Sequence, residues 1–359
     1  MKLTKEDFFK RQTTLPEIGK QGQERLQNAK VLIIGCGGLG SPAAVYLAAS
    51  GIGHLHLVDF DTVSASNLHR QIFYNVDSIN TPKVEQLADE ISKKAPFTNV
   101  TFTNNAIAKN SILELMKGFD VVVDGTDSLP IKYLINDACV LSKKPLVYGS
   151  LYKFDGYVAT FNVNENKGFS TNLRDAFPEI ATDIPNCEDA GTMNPIVGII
   201  ALLQVNEVIK LITKTGKLLS NQLLIYNALE NSQFKMKLKK NKSLNIKEIF
   251  KSYHYLDKPC KVQDPKLLIS SSDFKKRIDD RNLEIVSVIN NLETKIPFKV
   301  KIKKPFQSFD YEGFNPDFNK NYVIVCNKGI TSYTVTLNLK KKYPLLSVLS
   351  LVGGIQKFN

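Results

Sequence analysis

Gly35, Gly37 and Gly40 stand in a G-x-G-x-x-G spacing between a short apolar run and a helical pattern, with Gly38 inside the same loop. Glycine there permits a tight turn and a close backbone approach to phosphate, and the helix N-terminus that follows favours negative charge. Asp59 lies 19 residues beyond Gly40 at the end of the next apolar run, where a carboxylate can bind ribose hydroxyls. So far the pattern says only nucleotide, with a dehydrogenase as the default. The next residues depart from that default. Asp59-Phe-Asp61 leads to Ser66-Asn67-Leu68-His69-Arg70-Gln71 and then to Thr81-Pro82-Lys83. Arg70 and Lys83 form a cation pair suited to a triphosphate, whose charge must be neutralised before its α-phosphorus can be attacked. Asp127 closes Asp124-Gly-Thr-Asp127 at the carboxyl end of a further strand, where it can hold Mg2+, a hard cation that prefers oxygen ligands.

The elements that would position these residues alternate. Strands are expected at Val31–Ile34, His54–Asp59, Val100–Ile107 and Asp120–Asp124. Helices are expected at Pro42–Ser50, Lys83–Lys94 and Ile131–Leu141. Leu146–Tyr152 and Gly156–Asn162 read as a hairpin. This rhythm predicts an α/β fold, a Rossmann-like mostly parallel sheet with helices on both faces. Residues 164–194 are polar and aperiodic and read as a long loop, which in a compact domain is usually functional. Pro195–Thr213 reads as a helix, and strands Gln222–Leu229 and Gln233–Lys240 close a first domain, 1–240. The lysine-rich stretch 241–266 reads as a linker. A small α/β domain is expected at 267–359, with helices Ser272–Asp280 and Thr331–Lys342 and strands Leu283–Val288, Tyr322–Cys326 and Ser347–Leu351.

The 359 residues are 43% apolar and 23% charged, which excludes wholesale disorder and collagen-like repeats. The longest apolar run, Ile196–Leu203, has eight residues against the roughly 20 of a membrane-spanning helix, so no membrane association is expected. No signal-peptide pattern opens the chain, and the five scattered cysteines fit a reducing cytoplasm. Residues 1–230 hold 22 Lys+Arg against 24 Asp+Glu, whereas residues 231–359 hold 25 against 11. The basic half suits an acidic partner or a merely solvated surface. Its lysines are not interleaved with aromatics as in a base-stacking platform, so no nucleic acid is expected.

Together GCGGLGSP, LVDFDTVSASNLHRQ, TPKVE and DGTDS resemble the MoeB/ThiF family of ubiquitin-activating-enzyme-like adenylyltransferases, over residues 11–240. The resemblance implies that ATP·Mg2+ is used to adenylate the C-terminal glycine of a ubiquitin-like sulfur-carrier protein, of the molybdopterin (MoaD) or thiazole (ThiS) type. It implies that Gly35, Gly37, Gly38 and Gly40 face the phosphates and that Asp59 binds ribose. Asp61, Asn67, Arg70, Gln71 and Lys83 line the nucleotide site, and Asp127 is the metal-associated acid. Arg11 matches an arginine that reaches into a partner subunit's ATP site, which implies a homodimer. The chain departs from the family at Ser128, where Asn is common, and at Lys132, where Arg is usual. Many members also carry two CxxC pairs that bind zinc. The corresponding stretches, Asn172–Asp175 and Lys242–Ile246, hold no cysteine, so no zinc is expected.

Cys187 resembles the crossover-loop cysteine of members with a fused sulfurtransferase domain, where it captures the activated carrier; a non-essential thiol is the other reading. Cys36 and Cys139 read as core, and Cys260 as incidental. Cys326 ends a strand and opens the loop Cys326-Asn-Lys-Gly-Ile-Thr-Ser332 before a helix. A helix N-terminus and Lys328 would there favour a thiolate able to carry a persulfide. With Val352-Gly-Gly-Ile355 this stretch resembles a diverged rhodanese domain, implying sulfur transfer, with a cysteine desulfurase as a possible donor class; a degenerate docking domain is the alternative. Two further functions stay open for the whole chain, an NAD-dependent oxidoreductase and a non-catalytic nucleotide-binding scaffold. ATP and NAD separate the first of these from the adenylyltransferase: ATP is expected to raise Tm and NAD to leave it unchanged. Protection by NAD alone would reverse the assignment.

Overall fold

Lys30–Ile34 (β1) is apolar on both sides, and the computed structural model buries both. Val31 and Ile33 face one layer of helices, and Leu32 and Ile34 face the other. Strands covered on both faces pair in parallel. Here β1 lies between His54–Asp59 (β2) and Val121–Asp124 (β4), parallel to each. Asn99–Asn104 (β3) lies outside β2, and Leu146–Tyr152 (β5) outside β4. Asp155–Phe161 (β6), Gln222–Asn227 (β9) and Ser232–Lys237 (β10) extend the sheet antiparallel. The order of the eight strands is β10-β9-β6-β5-β4-β1-β2-β3, which is the mostly parallel sheet expected. Gly40–Ala49 (α3) and Lys83–Lys94 (α4) cover one face, while Ile112–Met116 (α5) and Leu129–Ser142 (α6) cover the other.

The structure describes residues 3–358 except 167, 181–190, 254, 256–263, 290–293, 312 and 328. Two compact units divide the chain, Met1–Tyr255 and Leu256–Asn359. Lys5–Thr13 (α1) and Gly19–Asn28 (α2) open the first unit. Both are polar helices with few buried positions, Phe9 in one and Leu26 among three in the other, too few to show a period in sequence. The second unit is a five-stranded parallel sheet in the order β11-β15-β14-β12-β13. Its strands are Leu268–Ile269 (β11), Leu283–Ser287 (β12), Ile302–Lys303 (β13), Asn321–Val325 (β14) and Ser347–Leu351 (β15). It packs with the helices Ser271–Arg277 and Ile330–Lys342 around a core of its own.

Three expectations are corrected. The 164–194 stretch is not one loop: Asn164–Glu165 (β7) and Gly168–Phe169 (β8) pair, and Leu173–Ala176 (α7) is a helical turn opened by an Asn172–Asp175 capping box. The 241–266 linker is shorter than expected. Ile246–Ser252 is a helix packed on α6, and its Phe250 is buried with Tyr255 in the core of the first unit. Surface lysines around the Ile246/Phe250 spacing hid that one-sided pattern. The twenty-residue helix Asn194–Thr213 (α8), with mean hydropathy 1.8, is long and apolar enough to cross a membrane, although its longest uninterrupted apolar run is short. Half of that stretch is buried, against α2, α3, β5 and β6, and it carries buried Gln204 and Glu207. Thr160 Oγ1 and the Leu219 amide donate to Glu207 Oε2, so α8 serves as a core helix here.

Asp137 on α6 is buried and paired. Arg174 Nε donates to both its oxygens at 2.9 and 3.0 Å, and Tyr255 OH donates to Oδ2 at 2.5 Å. Removing one partner of such a pair leaves an uncompensated buried charge. Arg174→Met should lower unfolding free energy by about 3–5 kcal/mol in urea titration. An unchanged midpoint would show that the pair does not hold Tyr255 in place.

Candidate active site

The carboxyl ends of β1, β2 and β4 meet where the strand order reverses, the place at which open α/β sheets bind ligands. Gly35 N donates to Val58 O and Gly125 N to Ile34 O, each at 2.8 Å, so the three strand ends lie side by side. Gly35 has φ +89°, and a Cβ on Gly40 would lie 1.7 Å from Gly35 O. On Gly125 a Cβ would lie 2.5 Å from the same oxygen. These three glycines let the chain fold back on itself. A Cβ on Gly38 would run into the Val197 side chain of α8 at 2.6 Å. Gly37 differs, because a Cβ there would meet only Gln71 Nε2, at 3.5 Å. Packing within the chain therefore does not require glycine at this position.

Asp59, the last residue of β2, is held by two backbone amides. Cys36 N donates to Oδ2 at 2.6 Å and Asp61 N to Oδ1 at 2.8 Å. Burial pushes its carboxyl above the usual range, and the two amide donors pull it back. Tyr74 OH donates to Cys36 O at 2.7 Å and locks the loop from the other side. Lys83 is almost wholly buried and reaches Asp61 Oδ2 at 3.0 Å, while Asp61 itself is half exposed. Arg70 donates to Asn67 Oδ1 at 2.8 Å and Ser66 O at 3.2 Å. Gln71 is buried, and its Oε1 has no partner among the described residues. A buried acceptor left unpaired beside the open face of Gly37 fits a bound molecule or water.

The loop after β4 rests on a pair that the sequence reading passed over. Lys132 Nζ, itself buried, lies 3.0 Å from buried Asp124 Oδ2 and donates to Gly149 O at 2.7 Å. Thr126 N and Oγ1 both donate to Asp124 Oδ1. Gln204 Nε2 of α8 donates to Asp124 O at 2.8 Å. Asp124 sits in the DGTDS motif, so the signal was present, but its strand position suggested only core. With Asp124 engaged, Asp127 is the exposed carboxylate of this loop and the one able to take a hard cation.

The structure thus brings together Gly35, Gly37, Gly38, Gly40, Asp59, Asp61, Asn67, Arg70, Gln71 and Lys83, with Asp127 on the adjoining loop. Arg11 is exposed on α1, and no described contact draws it to this loop. Cys187 and Lys328 lie outside the described residues. Cys326 follows β14 in the second unit and is buried, at 3% exposure. Cys36 and Cys139 are buried free thiols, as core residues should be. No three His, Cys, Asp or Glu side chains among the described residues come together to hold a metal ion. Asn172 and Lys242–Ile246, from the two stretches matched to the family's zinc positions, line one cavity of about 460 Å³ together with Asn241. They are tied by Asp175, which accepts from Asn172 N and Asn241 N.

The sequence pattern of the ThiF family matches residues 9–246, about two thirds of the chain, and takes in the elements from α2 to β10 that carry the glycine loop, Asp59, Arg70, Lys83 and Asp127. The chain belongs to the ThiF family. Among relatives of this ThiF chain, the adenylyltransferase and sulfurtransferase MOCS3 of Drosophila grimshawi is 31% identical over 384 aligned residues, covering 100% of this chain and 85% of the relative. The sulfur carrier protein adenylyltransferase of Thermus thermophilus is 37% identical over 246 residues, 67% of this chain and 91% of the relative. The probable adenylyltransferase/sulfurtransferase MoeZ of Mycobacterium tuberculosis is 39% identical over 66% of this chain, and the match spans 60% of the MoeZ length. Escherichia coli MccB shares the fold at TM-score 0.60 and 21% identity, over 68% of this chain and 73% of that one.

Gly40→Ala places a methyl on Gly35 O and should abolish the rise in Tm that ATP produces, while Gly37→Ala should weaken it by a smaller factor. Equal loss in both would mean that the loop's packing and its open face cannot be separated. Lys132→Met strands a buried carboxylate and should cost about 3–5 kcal/mol of stability in denaturant titration.

Proposed function

We propose that this ThiF-family chain is an adenylyltransferase that activates the C-terminal glycine of a ubiquitin-like sulfur-carrier protein with ATP. The observation that carries this reading is the cationic seat beside Gly37. Lys83 is buried there, Arg70 stands on the same excursion between β2 and α4, and Gln71 leaves a buried acceptor unpaired. The names of relatives from Drosophila and Thermus, as adenylyltransferases, support the reaction class. The solved complex titled MccB with ATP, which has the same fold, supports the nucleotide.

A carboxylate and a triphosphate repel. Arg70 and Lys83 offset that charge so that the carrier's terminal oxygen can approach the α-phosphorus in line. The new P–O bond forms as the bond to the β-phosphate bridging oxygen breaks. Pyrophosphate leaves with the electron pair, and the carrier becomes an acyl-adenylate. Asp59, already fixed by two amides, offers its carboxylate to the ribose hydroxyls. Asp127 would hold Mg2+, which when bound draws charge from the phosphate oxygens.

The second unit is read as a sulfurtransferase domain. The Cys326 thiolate attacks the outer sulfur of a persulfide donor, of the kind a cysteine desulfurase carries. One S–S bond forms, the donor's S–S bond breaks, and the donor departs as a thiolate. Arg11, turned to solvent, is assigned to a partner subunit's site in a homodimer. The tie between Asp175 and Asn241 supports a fold that needs no zinc, and the free thiols support a reducing cytoplasm.

Lys83→Ala should cut carrier-dependent ATP–pyrophosphate exchange by 10²-fold or more, and a carrier without its terminal Gly-Gly should give none. Full exchange in Lys83→Ala would sink the proposal. Cys326→Ser should keep exchange and lose sulfur loading from a persulfide. Metal analysis should find far less than one zinc per chain.

A further inference from the structure

Cys326 does not sit alone at the end of β14. Gly329 N donates to its Sγ at 3.1 Å, and Ser332 Oγ, on the helix Ile330–Lys342, lies 3.2 Å from it. Ser350 Oγ, on β15, donates to Ser332 Oγ at 2.9 Å. Ser332 and Ser350 have no solvent exposure at all. The strand register sets Ser350 beside Ile324, two residues before Cys326, within a core that includes Ile324, Val348 and Leu351.

A buried hydroxyl in apolar surroundings is unfavourable unless it is bonded, and alanine or valine would suit such a strand position on packing alone. Each hydroxyl has one hydrogen to give. That of Ser350 goes to Ser332, which frees the hydrogen of Ser332 for the sulfur. A thiolate, or the sulfur of a persulfide, has lone pairs and no hydrogen, so it needs donors on the protein side. Ser332 and the Gly329 amide are two. The hydroxyl of Ser350 keeps Ser332 from turning its hydrogen away.

We propose that Ser350 is a positioning residue for sulfur chemistry at Cys326, acting through Ser332, so that a two-hydroxyl chain from the neighbouring strand holds the sulfur in its reactive, hydrogen-free form. The inference rests on the sulfurtransferase reading of the second unit for its purpose, but its geometry can be tested apart from that reading.

The test compares Ser350→Thr with Ser350→Val in the full chain, since the two side chains have one shape and differ in the hydroxyl. Two readouts are taken: sulfur loading from glutathione persulfide, with kcat and KM separated, and the rate of iodoacetamide modification of Cys326, resolved from the other cysteines by peptide mass spectrometry. Ser350→Thr should match the wild type. Ser350→Val should lose roughly three- to tenfold in kcat and in modification rate, with KM unchanged, the size of one hydrogen bond. Thr and Val variants that behave alike, or a Val defect confined to KM, would overturn the inference. A wild-type chain that takes no sulfur from the donor would instead refute the sulfurtransferase reading. In that case the modification rates of the Thr and Val variants alone decide whether Ser350 acts on Cys326.

Discussion

Everything at the nucleotide edge depends on one close approach, the backbone of Gly35 against that of Gly40 and Gly125. Three strand ends and one helix start converge there, and no side chain can stand between them. Once they are in contact, β1, β2 and β4 end at a common level, and the residues that follow each strand project from one line. Asp59 is then within reach of the Cys36 amide, and Gly125 is bonded to Ile34. The buried Lys132–Asp124 pair fastens the same line from below through Gly149 on β5. The site is therefore assembled by folding, and ordering its groups takes little from the binding free energy of a ligand.

Much of the fold was legible because the central strands have an unambiguous composition. Lys30–Ile34 and Val121–Asp124 are short apolar runs with glycine immediately after, and such runs are buried on both faces or not formed at all. Helices α1 and α2 left no such trace. Their buried residues are few and their exposed residues polar, so their helicity depends on docking, α2 on α8 and α1 on α2, which composition does not record. Tyr255 shows the same difficulty over a longer distance. It belongs to the first unit because its hydroxyl meets Asp137 on α6, 118 residues earlier in the chain.

The candidate site was readable where chemistry demands a residue type at a fixed spacing, as at Gly37, Asp59, Arg70 and Lys83. It was not readable where a residue supports another. Lys132 passed for a tolerated replacement of arginine, yet its ammonium neutralises Asp124 and grips a carbonyl two strands away from β1. Ser332 and Ser350 gave no signal, because serine in a strand or a helix has many ordinary explanations. Only the distance between the two hydroxyls, and from one of them to the sulfur, distinguishes them.

Helix α8 is, among the described residues, the one helix long and apolar enough to cross a membrane, and the elements it packs against most, α2, α3, β5 and β6, all precede it in sequence. Chains emerge from the ribosome N-terminus first, and their parts begin to fold in that order. This long apolar helix is thus synthesised after the surface that receives it. Gln204 adds a matching address, since its amide donates to Asp124 O and Val147 O on that surface, and Glu207 accepts there from Thr160 Oγ1 of β6. Moving residues 194–213 ahead of β1 by circular permutation would reverse this order and leave the helix waiting, uncovered, for its own binding site.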